Sequence, residues 1–129
     1  MIYRLAIVGA IVIACAGCAA GQRANESRAI ATEFLAAMDA GDTRAACALL
    51  ATDTRDELEF SEGEPCAASL ASVEIAGGTV EEVAVWGDRA KAGASTGTLF
   101  LVQLDVGWRV AAAGCVRGEG EAYDCLLAA

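Results

Sequence analysis

TLFLVQLDVGWRVAAA, residues 98–113, is the stretch on which the fold turns. Thr98 to Leu104 is a dense apolar run of strand-forming side chains, and it is predicted to be the central strand of a sheet. Asp105-Val106-Gly107 interrupts it with turn residues, and Trp108 to Ala113 returns as a second strand. Working back from this hairpin, Arg89-Ala90-Lys91-Ala92 alternates charged and small residues, the pattern of a strand with one wet and one buried face. Gly87-Asp88 is a two-residue hairpin turn. Before it, Val80, Val83 and Val85 mark another strand that ends near Trp86, and the adjacent Glu81 and Glu82 break its alternation where a bulge is expected. Val73 and Ile75 are expected to open the sheet as a short strand, turned by Gly77-Gly78.

Upstream of Val73 the apolar period is helical. In residues 26–40 (ESRAIATEFLAAMDA), Ile30, Phe34 and Met38 recur every fourth position, with Ala31 and Leu35 beside them. Gly41 is placed to end that helix, and Asp42 to cap the next, residues 43–51. Thr54-Arg55-Asp56-Glu57 fits a capping box that would open a third helix running to Phe60. Glu62-Gly63-Glu64 breaks it, and Pro65 starts a short helix from Cys66 to Ala71. Helices followed by an antiparallel meander make an α+β protein, with N-terminal helices packed on a curved sheet of four or five strands.

The N-terminus carries a different signal. Met1-Ile2-Tyr3-Arg4 supplies one positive charge, Leu5 to Ala14 is uncharged and apolar, and Cys15-Ala16-Gly17-Cys18 leads into small residues. A basic start, a short apolar run and a small-residue exit read as a secretory signal peptide. The run falls short of the roughly 20 apolar residues that a spanning helix needs. A cysteine at the exit resembles a lipobox. The reading is therefore a lipoprotein signal over residues 1–17, a lipidated N-terminus and tether over 18–25, and a domain over 26–129. Cys18 is the lipid site of choice, with Cys15 the alternative. Cleavage before Cys18 leaves Cys47, Cys66, Cys115 and Cys125 as an even set, whereas cleavage before Cys15 leaves an odd thiol in an oxidising compartment. The protein is then expected on the outer face of the cytoplasmic membrane, held by its lipid.

Four cysteines in an exported domain imply two disulfides, with three connectivities open. The local pairing, Cys47–Cys66 and Cys115–Cys125, is the one expected. No two of these cysteines have the CxxC spacing of a zinc site, so no metal is expected. Loss of Arg4 with the signal leaves 8 basic against 18 acidic residues, a net charge of −10 where the full chain has −9. Such a polyanion does not bind nucleic acid through phosphate neutralisation, and it is repelled by anionic lipid, so the membrane link must be covalent.

FLAAMDAGDTRAACALLATDTRDELE, PCAASL, VAVWGDRAKA, LFLVQLDVGWRVAAAGC and YDCLL together resemble a family of small actinobacterial lipoproteins with an NTF2-like, cone-shaped α+β domain. The resemblance covers nearly all of residues 26–127. It implies a cone that in other members holds an enzyme site, a ligand or a partner, and it brings no catalytic set to transfer.

The chain has no histidine, which removes Ser-His-Asp and Cys-His nucleophile systems. Asp39, Asp42, Asp53, Asp56 and Glu57 are the carboxylates in reach of a cone, and each has a plainer role on a helix surface or cap. Phe34, Trp86, Phe100 and Trp108, with Phe60, are the large apolar side chains that could line a pocket or fill the core. The expected function is that of a non-enzymatic accessory or partner-binding domain without cofactor, partnered by another envelope protein or by a second copy across the sheet face. A small-molecule-binding domain or a carboxylate-based enzyme is the alternative.

Overall fold

The computed structural model describes residues 16–120 and 122–129, with side chains from residue 21 onward. Four helices precede five strands: α1 (Ala16–Asp39), α2 (Thr43–Ala48), α3 (Thr52–Glu62), α4 (Cys66–Ala71), β1 (Val80–Trp86), β2 (Arg89–Ala94), β3 (Gly97–Leu104), β4 (Gly107–Arg117) and β5 (Tyr123–Ala128). The strands form one open antiparallel sheet in chain order, with β3 in the middle. The α+β class and the helix-then-meander order follow the periodicity read from the sequence.

α1 buries Ala31, Phe34 and Leu35 completely or nearly so, the stripe that its fourfold spacing predicts. Ser27 is also buried, and its hydroxyl donates to the Ala24 carbonyl at 3.0 Å, which removes the cost of an unpaired polar group. The helix ends where only glycine is at ease. Gly41 has φ 71°, its N–H donates to Met38 O at 3.1 Å, and the next N–H, of Asp42, reaches Ala37 O at 2.8 Å. These two bonds are a Schellman closure, and they turn the chain into α2. Asp42 then caps α2, its carboxylate accepting from Ala45 N at 3.1 Å. α2 and α4 have six residues each, too few to persist alone. They are joined by the Cys47–Cys66 disulfide, with both cysteines in the core.

Three segments depart from the sequence reading. α1 starts at Ala16, so the stretch assigned as a tether, residues 18–25, is helical. Ala19, Ala20 and Ala24 carry the best helix propensity of any residue, and propagation from a long packed helix costs little. α3 starts at Thr52, and Thr54 caps nothing. Thr54 is buried, and its Oγ1 donates to Ala111 O of β4 at 2.8 Å. Lastly, Val73 and Ile75 form no strand. Ile75 buries its side chain, but its N–H closes a local turn onto Val73 O at 3.1 Å and finds no ladder. The fifth strand comes instead from the C-terminal segment, where β5 pairs with the outer half of β4.

β5 pairs with β4 no further along than Ala112. The inner half of β4 is met by the α2–α3 link: Val110 N donates to Leu49 O and Ala51 N to Val110 O, both at 2.8 Å. This docking explains why a tertiary bond takes Thr54 away from a local cap. The core lies between the helices and one face of the sheet, where Phe34, Leu70, Leu99, Leu101, Trp108 and Val110 meet. Ala90 and Ala92 on β2 keep that face low enough for α1 to approach. The register of β1 slips between Val80 and Glu82, the bulge expected at the paired glutamates.

Candidate functional site

At the end of the sheet where β2 turns into β3, the helices and the strands part to leave a cleft of about 320 Å³. Leu35, Ile75 and Leu99 form its apolar floor. Val116 and Leu126 stand exposed on one side, and Glu74 and Asp124 place carboxylates among the lining residues.

Each wall has a local cause. The connector after α4 is held over the β2–β3 turn by polar contacts: Thr96 Oγ1 donates to Gly77 O at 2.8 Å, Ser95 N to Thr79 O at 3.1 Å, and Thr79 N to Ser95 Oγ at 3.1 Å. The opposite wall depends on Gly114. It has φ 64°, and a Cβ there would stand 3.0–3.1 Å from three Leu126 side-chain carbons. Glycine thus permits both the backbone twist in β4 and the close seat of Leu126 against it. Cys115 lies opposite Cys125 in the β4–β5 ladder, and their disulfide fixes this wall.

A second cavity of about 360 Å³ lies at the other end of the sheet, among Asp53, Thr54, Asp88, Arg89 and Leu104. Its lining is more polar and more charged, so it is a poorer seat for an apolar group.

The four large residues marked as a pocket in the sequence do not meet in one. Phe34 and Trp108 are core side chains. Trp86 is 51% exposed, and Phe100 is half-buried, packed edge-on against Tyr123 at 5.1 Å between centroids. The reason is strand parity: Leu99 and Leu101 take the inner face, so Phe100 must take the outer one, and Val85 does the same to Trp86. Phe60, at 84% exposed, lies outside the core as well. The outer face of the sheet is mixed, with Lys91 opposite Phe100 and the Arg117 guanidinium 5.3 Å from the Tyr123 ring centre.

The candidate carboxylates do not converge either. Asp42 is a cap, Asp39 is exposed at the end of α1, and Asp53, Asp56 and Glu57 are exposed along one face of α3, turned to solvent. Among the described residues no group of three or more acidic or cysteine side chains is placed to hold a metal ion. Both expected disulfides are present, Cys47–Cys66 and Cys115–Cys125. Cys15 lies outside the described residues; Cys18 falls within the helical backbone of α1, and its side chain lies outside them. No helix of the described residues is long and apolar enough to cross a membrane.

The cleft residues Glu74, Val116, Asp124 and Leu126 were not anticipated. One signal for them was legible: Leu126 and Leu127 are adjacent in a strand, and adjacent leucines cannot both face the core. Comparison with protein-family models, curated proteins and solved structures yields no match.

Proposed function

We propose that this chain is an exported lipoprotein, cleaved before Cys18 and lipidated there, whose NTF2-like domain serves as a non-enzymatic accessory module binding a partner at the outer face of the cytoplasmic membrane. The observation that carries this reading is the pairing of all four domain cysteines into two intramolecular disulfides. Such bonds persist outside the cytoplasm, and they account for every cysteine of the domain. The test is mass spectrometry of the full chain produced in a bacterial host. The expected product begins at a lipidated Cys18, Cys18→Ser abolishes the lipid, and Cys15→Ser leaves it in place. An unmodified N-terminus at Met1 overturns the reading.

The cleft favours a second reading, binding of a small molecule. Its floor is apolar, and Glu74 and Asp124 select a cationic head, so a compact apolar amine is the class that fits. Thermal-shift measurement with such amines separates the two readings. Stabilisation that Leu126→Arg abolishes supports a ligand site, whereas a flat response leaves the partner-binding reading in place.

A further inference from the structure

The geometry points to the β1–β2 and β3–β4 turns as a bilayer-contacting end of the domain, with Trp86 and Val106 as its interfacial side chains. This inference rests on the proposed lipidation of Cys18. The argument starts from α1. Arg23 donates through Nη2 to the carbonyl of Gly87, in the β1–β2 turn, and Arg28 donates to Val80 O at 3.0 Å, at the far end of the same strand. The N-terminus of α1 therefore points to the turn end of the sheet. The backbone from Arg23 to Cys18 is helical, five residues at 1.5 Å rise, so Cys18 lies only about 8 Å further along the axis. Helical side chains lean toward the helix N-terminus, so the Arg23 guanidinium and the turn it holds are closer still to the level of Cys18.

A lipid at Cys18 then leaves no slack. The headgroup surface must lie beside the Gly87–Asp88 turn, where two exposed apolar side chains lie. Trp86, the last residue of β1, is 51% exposed, and Val106, in the neighbouring turn, is 71% exposed. Gln103 N bonds to Asp88 O at 2.8 Å, which ties the end of β3 to the β1–β2 turn. Tryptophan is favoured at membrane–water interfaces because its ring is apolar and its N–H is polar. Charge agrees. The full chain has net charge −9, yet at this end Arg23, Arg89 and Arg109 offset Asp53, Asp88 and Asp105. The apolar cleft at the opposite end of the sheet faces away from the bilayer in this orientation.

The test uses the full chain produced in a bacterial host, purified from its membranes and reconstituted into phosphatidylcholine vesicles, with the lipid on Cys18 recorded by mass spectrometry on the same sample. Trp108 is buried in the core and serves as the internal reference. The expected result is a blue-shifted Trp86 emission that is quenched by brominated phosphatidylcholine, with both effects lost in Trp86→Phe. Lipidated protein whose Trp86 is untouched by brominated lipid and open to aqueous iodide overturns the inference. Trp86 shielded from iodide in native membranes but not quenched in the vesicles also overturns it, in favour of a protein partner on this end. A chain without lipid on Cys18 fails the proposed function itself, and this inference falls with it.

Discussion

Thr54 shows how far a local motif can mislead. Thr54-Arg55-Asp56-Glu57 has the spacing of a capping box, yet the hydroxyl is spent on a β4 carbonyl 2.8 Å away. Thr54→Val is expected to cost about 1–2 kcal/mol, the penalty of an unpaired buried carbonyl, whereas Glu57→Ala is expected to be nearly silent. Urea denaturation of the two variants checks both, and equal losses would restore the capping reading. Phe34 and Trp86 make a sharper contrast. Both are large aromatic residues next to other apolar ones, but Phe34→Ala empties the centre of the core and is expected to cost about 3–5 kcal/mol. Trp86→Ala is expected to stay within about 0.5 kcal/mol, as surface changes do. Helical periodicity placed Phe34 inside, because its stripe recurs every fourth residue. Strand parity decided Trp86 and Phe100: each follows an inward-facing residue, Val85 and Leu99, in an unbroken stretch of pairing with β2, and so takes the outer face whatever its size.

At the scale of elements, what was legible was whatever had a period or a punctuation mark. Gly41 and Asp42 fall at the α1–α2 junction, Gly87-Asp88 form the first hairpin turn, and TLFLVQL is the central strand. Gly41→Ala forces a left-handed backbone on an L-residue and is expected to destabilise the domain by about 1–2 kcal/mol, measured as a shift of the urea midpoint. The illegible parts depend on partners. Val73 and Ile75 look like a strand, but pairing needs a free edge at the right place, and the connector has none. β5 was hidden behind Gly118 and Gly120, although the Cys115–Cys125 pairing already required the C-terminal segment to run beside β4. The cleft was illegible for the same reason: its lining comes from α1, the connector and three strands, none of which carries a motif.

For the molecule as a whole, the disulfides support a small, alanine-rich core. Their closures span 19 and 10 positions, and each is expected to stabilise the fold by about 3 kcal/mol in the chain-entropy picture. A typical domain has only about 5–15 kcal/mol in total, so reduction is expected to lower the melting temperature sharply or abolish folding at 37 °C. Circular dichroism with and without dithiothreitol reads this directly. Cys47–Cys66 joins two helices that cannot stand alone, so its loss is expected to reach the core. Cys115–Cys125 holds one wall of the cleft, so Cys115→Ser/Cys125→Ser is expected to loosen the cleft first, as faster amide exchange over residues 123–128. One more consequence follows from the bulge in β1. The strand is the outermost of its sheet, and an unpaired edge is a template on which further chains can stack. The slipped register between Val80 and Glu82 and the two negative charges of Glu81 and Glu82 work against that template, so β1 is expected to resist pairing with another copy. Glu81→Val/Glu82→Val is therefore expected to convert a dispersed protein into a self-assembling one, visible as rising light scattering with concentration.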